Sequence, residues 1–446
     1  MTAALPPQPS SDPGPPQRVL IIAHAHPDHS LGGGELAAHG HWAELRRQGV
    51  DALFLARSAL PSGHVGTPFT SRSADGSELL FHLPPVDHFR HSQRQRQLIY
   101  EDFRALMERF RPTAVHFHHY VHLGLELIRE VRRYSTEIPI FLTLHDYLGI
   151  CHLQGQMLKA NGMLCQRSNP IDCHSCVPGH SPQDFFMREL FVKSFFKLVD
   201  VFVSPSRFLR DRYVAWGLPA DRFLVLENGQ PSHALPSGGT TGSTLSASLH
   251  TRFLVLGQLS RLKGSEVLLD AVRSLPKAVA STVRIEIHGS IQHAEERFRT
   301  RFLEGCTELA PTVQYCGPYL PQDVSSVLAT AGWLIVPSIW WENSPMVIQE
   351  AFRCARPVIA SNIGGMAEKV KAGETGLHFR VGSASDLARC IEEAASDPHA
   401  WKRMSESVRP PPSLESTVGT LRGLYSRSRA DIHQMLAHAG AEAALV

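Results

Sequence analysis

Short apolar runs alternating with longer amphipathic stretches constrain this chain more than any other feature. Val19–Ala23, Ala114–Phe117, Ile138–Leu144, Val201–Ser204 and Phe223–Leu226 have the length and apolar continuity of strands buried on both faces. Glu35–Gln48 and Gln97–Arg109 lie between such runs and read as helices. Strands alternating with helices predict a parallel, doubly wound α/β sheet. A Ser/Thr/Gly-rich stretch without periodicity, Ser232–Ser248, then reads as a linker. The strand–helix pattern restarts at Phe253–Leu256 and continues through Val283–Ile287, Leu334–Val336 and Pro357–Ala360. The expected plan is a tail over 1–17, one α/β domain over 18–231, a linker over 232–250, a second α/β domain over 251–405, and a C-terminal helix around Leu414–Tyr425 with a small-residue tail within 406–446. Two such domains in tandem leave a cleft at the carboxyl ends of their strands, where ligands bind in sheets of this kind.

Composition narrows the function. A chain of 446 residues can bury two full cores, and a formal charge of +2 argues against a nucleic-acid surface. Nothing in it is a continuous apolar run of bilayer-spanning length. The segment Pro6–Pro16 is polar and Pro-rich without an apolar signal core, so it reads as a disordered tail. A cytoplasmic protein is expected, with room for peripheral contact at the inner face of a membrane.

The segment Pro337–Phe352 carries the clearest chemistry. It follows the apolar run Trp333–Val336 and sets Glu342 and Glu350 on either side of an expected helix start. Ser344 suits an N-cap and Pro345 the first helical position, while Pro357 should stop the helix near Ala355. Glu350 then lies about 9 Å along the helix from its cap, at roughly 1.5 Å per residue. Phosphates could sit on the free helix N–H groups while a hydroxylated end reaches the second carboxylate, the shape of a sugar nucleotide. Gly257–Gly264 also leaves a strand and opens a helix. Its glycines let backbone approach a ligand, and Arg261 and Lys263 can neutralise a diphosphate.

These two segments, with Ser361–Glu368 and Gly373–Phe379, resemble glycosyltransferase family 4 in the family's order, almost continuously from Phe253 to Leu387. The resemblance implies the GT-B fold, two Rossmann-like domains, and transfer of a sugar from a nucleotide-diphosphate donor with retention of configuration. It places Glu350 on the donor ribose, Glu342 on the donor-sugar hydroxyls with Asn343, Ser344, Pro345 and Met346 nearby, and Lys263 on the diphosphate. The family's usual Arg is Gln258 here, and Arg261 is the candidate replacement. His145, in the His145-Asp146 pair after Ile138–Leu144, matches an active-site position. The leaving diphosphate would accept the acceptor's proton, with hydrogen bonds and Lys263 stabilising it, so neither a dedicated base nor a catalytic metal is expected. Acceptors of the expected class are glycans, lipid-linked sugars or small molecules, in cell-surface polysaccharide or glycoconjugate synthesis. A nucleotide-sugar epimerase of the same fold and a non-catalytic binding subunit are the alternatives.

The N-terminal half carries further candidates. His26–Glu35 resembles the family's glycine-rich loop, which puts Gly33 and Gly34 against the donor. The same His-Pro-Asp also resembles zinc-dependent sugar deacetylases, which usually carry a second Asp where His29 stands. Of the histidines in His116–His122, His118 and His119 are candidates for the acceptor side. Cys151, Cys165, Cys173 and Cys176 include a C-x-x-C and could hold a closed structural zinc within an insertion over 151–176.

Overall fold

The computed structural model describes residues 17–30, 32–59, 66–94, 96–231, 246–292 and 294–443. The tail before Gln17 and most of the expected linker, 232–245, lie outside the described residues. Ten strands precede the linker: β1 (Arg18–Ala23), β2 (Asp51–Arg57), β3 (Phe69–Ser71), β4 (Glu78–Phe81), β5 (Val86–Asp87), β6 (Ser92–Gln93), β7 (Ala114–Phe117), β8 (Ile140–Thr143), β9 (Val201–Ser204) and β10 (Phe223–Val225). Six follow it: β11 (Arg252–Leu256), β12 (Arg284–His288), β13 (Val313–Gly317), β14 (Trp333–Val336), β15 (Val358–Ser361) and β16 (Gly376–Phe379). The first set builds an eight-stranded sheet in the order β10-β9-β8-β7-β1-β2-β4-β3, plus a β5–β6 ribbon; the second builds a six-stranded sheet, β13-β12-β11-β14-β15-β16. All pairs in the six-stranded sheet are parallel, as are β2–β4, β1–β2, β1–β7 and β7–β8, whereas β3 is antiparallel to β4.

Strand alternation sorts the core of the six-stranded sheet. Phe253, Val255, Trp333 and Ile335 pack into one buried cluster, and Leu254, Leu256, Leu334 and Val336 into the other. Each such side chain contributes about 1.5–3 kcal/mol by leaving water. Helices observed at Gly33–Arg47 and Arg96–Phe110 agree with expectation to within two residues. Strands β2, β3, β4, β5, β6, β13 and β16 go beyond those the alternation predicts. In β2 the charged ends Asp51 and Arg57 frame five consecutive buried apolar residues, a central-strand pattern. The C-terminal segment holds two helices, Leu414–Tyr425 and Arg429–Ala443, where one and a tail are expected.

The compact units do not follow the sequence halves. One comprises the chain up to Thr143, Ser194–Phe202 and everything from Val418; the other comprises Leu144–Lys193 and Val203–Thr417. In the first unit Tyr425, 2% exposed, packs edge-on against Phe141 at 4.8 Å between ring centres. Among the described residues, no helix is long and apolar enough to cross a membrane.

Candidate functional site

In the six-stranded sheet the chain runs from β11 outward through β12 and β13, then returns to β14 and builds outward through β15 and β16 on the other flank. The loops after β11 and β14 therefore lie at the switch point of the sheet, the place where ligands bind in sheets of this kind. Gly257 and Gly264 both have positive φ, 117° and 74°. A Cβ on Gly264 would stand 1.8 Å from the Pro337 carbonyl oxygen, so only glycine lets the two loops touch there. The Ile339 amide donates to the Leu262 carbonyl at 2.9 Å and joins them.

That contact sets Lys263 against Glu342. The Lys263 ammonium donates to Glu342 Oε1 at 2.6 Å, and the same oxygen accepts from Ser338 Oγ at 2.8 Å and Trp340 Nε1 at 2.9 Å. The Glu342 side chain is only 9% exposed, and these charge-assisted bonds offset its desolvation. The Gly365 amide donates to the Glu342 carbonyl at 2.8 Å, and a Cβ on Gly365 would meet the Asn343 carbonyl oxygen at 1.6 Å. Asn343 is anchored on both sides of its amide, accepting from Ser206 Oγ at 2.7 Å and donating to the His145 carbonyl at 3.3 Å. His145, Lys263, Glu342 and Asn343 are thus tied into one network of the second unit.

The helix start corrects the sequence expectation. The helix spans Met346–Arg353, its N-cap is Pro345 with ψ 117°, and no side chain caps it. Ser344 Oγ is buried without a hydrogen-bond partner. Pro345 itself is non-helical, with φ −58° and ψ 117°, so helical geometry begins one residue later than Pro345 and Ser344 does not cap. The first-turn N–H groups are therefore without a side-chain acceptor, the condition under which a helix start takes an anion. Glu350 lies in the second turn, where burial raises its carboxyl pKa although Arg353 opposes the shift. Burial first, then the nearby Glu350 charge, pushes the Tyr319 phenol upward. Tyr319 is thus a neighbour of Glu350 that sequence reasoning missed; an aromatic residue just beyond β13 was its only signal. Arg261 is exposed, and its side chain makes no hydrogen bond or ion pair among the described residues.

The insertion buttresses the same loop. Trp341 Nε1 donates to the Cys165 carbonyl at 3.1 Å, and the Arg212 guanidinium lies 5.5 Å from the Trp341 ring. Glu368, within the Ser361–Glu368 motif, accepts from the amides of Arg207 and Phe208, both at 2.8 Å, and so caps the helix Arg207–Ala215. Cys151, Cys165, Cys173 and Cys176 are free thiols around one cavity of about 30 Å³. The helix Pro170–Cys176, which carries the C-x-x-C, has no buried residue. Among the described residues, three or more ligand atoms lie within 4.8 Å of one another at His41/His116/His118, His26/His39/Glu78 and Glu286/His288/Cys316, but not at the four cysteines.

The first unit places its candidates separately. Gly33 and Gly34 open the helix Gly33–Arg47, and the Glu35 carboxylate folds back so far that a Cβ on Gly32 would meet it at 2.4 Å. Burial would raise the Glu35 carboxyl, but His24 and the 2.5 Å bond from Ser30 outweigh it and hold it at about 2. His118 does not line an open surface. It is 5% exposed, and its Nε2 pairs with His41 Nδ1 at 2.9 Å. Its ring continues the buried alternation of β7 beyond Phe117, which draws it into the core. His119 is equally buried; its Nδ1 accepts the amides of Tyr120 and Val121, and its ring lies 4.9 Å from that of His24. His26 Nε2 and His39 Nε2 each reach Glu78 Oε1 at 2.8 Å. His26 Nδ1 accepts the Asp28 amide at 3.1 Å, which keeps the proton on Nε2 and favours this hydrogen-bonded arrangement over metal ligation.

Comparison with known proteins agrees with this geometry. Residues 246–409 match the family model for glycosyl transferases group 1, and residues 32–229 match the model for a glycosyl transferase 4-like domain. A D-inositol 3-phosphate glycosyltransferase of Paenarthrobacter aurescens is 30% identical over 145 residues, 32% of this chain and 35% of that protein. A lipopolysaccharide 1,2-N-acetylglucosaminetransferase of Salmonella typhimurium is 27% identical over 203 residues, 44% of this chain and 53% of that protein. The chain thus spans about a third to a half of the length of these curated relatives. Anabaena HepE, solved with UDP and glucose, superposes with a TM-score of 0.64 at 17% identity, covering 92% of this chain and 100% of its own. Sucrose-phosphate synthase of Thermosynechococcus elongatus gives a TM-score of 0.62 at 18% identity, with 92% and 98% covered. Two family matches that divide the chain at the linker, a doubly wound sheet on each side of it and this likeness in fold place the chain among the family 4 glycosyltransferases of the GT-B fold.

Proposed function

We propose that the protein transfers a hexose-type sugar, with retention of configuration, from a nucleotide-diphosphate donor to a glycan, lipid-linked or small-molecule acceptor. The observation that carries this reading is the Lys263–Glu342 pair at the switch point, in the same unit as the uncapped helix start and Glu350. Before donor arrives, the pair leaves neither charge uncompensated in a half-buried site. Donor phosphates would recruit Lys263, Arg261 and the first-turn N–H groups of Met346–Arg353. Glu342 would turn to sugar hydroxyls and Glu350 to the ribose. Positive charge beside the leaving diphosphate stabilises the charge that develops as the glycosidic bond breaks, the usual largest contribution in such sites. With the leaving group itself accepting the acceptor's proton, no metal enters the step. HepE is solved with UDP and glucose, so UDP-sugars are the first donors to test. Donor consumption with a sugar-bearing product of retained anomeric configuration is expected. Conversion of donor alone into its epimer would instead assign an epimerase, and nucleotide binding without turnover a binding subunit.

We also propose that the four cysteines hold a structural zinc. The donor set fits: four thiols line one cavity, and the helix carrying two of them buries nothing else to fix its position. Zinc would draw the sulfurs together and hold Cys165, whose carbonyl supports Trp341 beside Glu342.

A further inference from the structure

The first unit has a switch point of its own. From β1 the chain builds through β2 and β4 on one flank, then returns to β7 and builds through β8 on the other. A crevice is therefore expected at the carboxyl ends of β1 and β7. His24 follows β1 immediately, Arg57 ends β2, and His119 and His122 follow β7. The His24 and His119 rings lie 4.9 Å apart, and His122 stacks edge-on with His88 at 5.2 Å. His122 adopts φ 62°, a left-handed conformation that costs a non-glycine residue free energy and recurs at functional sites. Its imidazole is pushed down to about 4, by burial first and then by Arg57, His24, His88 and His119 around it.

Arg57 sets the character of this cluster. Its Nε is buried without a hydrogen-bond partner, and no carboxylate pairs with it among the described residues. The carboxylate seen in the cluster, Glu35, is already matched by His24 and Ser30. A half-buried guanidinium with an unused donor, beside the His122 imidazole, lacks a planar anion that could accept several N–H bonds.

We propose that the β1/β7 crevice is the acceptor site and that it selects acceptors bearing an anionic group, a phosphate or a carboxylate, bound by Arg57 with His122. This rests on the glycosyltransferase reading above, which leaves the donor to the other unit.

The test is calorimetric titration of the full-length protein saturated with UDP. The probes are inorganic phosphate, glucose 6-phosphate, glucuronate and glucose. At least one anion should bind while glucose does not, and the phosphate and glucuronate arms tell which anion is taken. Arg57→Gln should weaken that binding at least tenfold and leave UDP binding unchanged, with Arg57→Lys in between. Lys263→Ala should lose UDP and keep the anion. If Arg57→Gln melts early, His122→Gln is read in its place. Absence of anion binding by the wild type, or equal binding by the folded variants, overturns the proposal. Intact anion binding without UDP binding would instead fault the donor reading.

Discussion

Glu350 and Lys263 are the residues on which the donor reading turns, and their environments make opposite demands. Burial raises the Glu350 carboxyl in the folded state. Its ionised form therefore costs stability once the pH exceeds the unfolded value, and the penalty is complete only above the folded value. Glu350→Gln should show no stability gain in acid and a gain that grows toward neutral pH, read as melting temperature across a pH series. The same variant should bind UDP at least about tenfold more weakly, one lost charge-assisted bond to the ribose. Lys263→Ala should lower the melting temperature without unfolding the protein, because Ser338 and Trp340 still hold Glu342 but its nearly buried charge loses its counter-ion. Its kcat/KM should fall by about a hundredfold or more, the usual loss when a preorganised donor to developing charge is removed. Wild-type turnover in that variant would dismiss Lys263 from the site. The types and spacing of these residues were legible in the sequence. Ser344 was not, because Ser-Pro resembles a helix cap in local sequence while the backbone at Pro345 is still non-helical.

At the scale of elements, two contacts position that constellation. Gly365 lets the start of the helix Gly364–Lys369, after β15, lie against the Asn343 backbone, where a Cβ would stand at 1.6 Å. Gly365→Ala has no side chain to push aside and should destabilise the second unit by about 1–3 kcal/mol, measured by denaturant unfolding. The insertion is the second contact. Purified protein is expected to carry one zinc per chain, and its removal by a chelator under reducing conditions should lower the melting temperature and weaken UDP binding through Cys165 and Trp341. Protein without zinc and with four titratable thiols would refute the zinc site. Sequence reading located the cysteines by C-x-x-C spacing, yet spacing says nothing of the Trp341 contact 176 residues away in the chain.

At the scale of the whole molecule, the chain from Val418 onward is part of the first unit, not an appendage. Tyr425 OH bonds His116 Nδ1 at 2.5 Å and His41 Nε2 at 3.2 Å, while His116 Nε2 meets Thr143 Oγ1 at 2.7 Å and His41 meets His118. Tyr425→Phe would leave two buried imidazole nitrogens short of a partner. It should cost about 1–3 kcal/mol, seen as earlier melting with donor binding retained at lower temperature. By itself the sequence determined the doubly wound class and the Gly257–Gly264 and Pro337–Phe352 motifs, because apolar periodicity and glycine placement are properties of neighbours along the chain. Only the tertiary structure decided that His118 belongs to a buried network and that the unit boundaries cross the chain several times. It alone set Lys263 on Glu342 and left Arg57 without an acid among the described residues. Each of these depends on which distant groups share a desolvated space, and burial and pairing are set by packing, not by order in the chain.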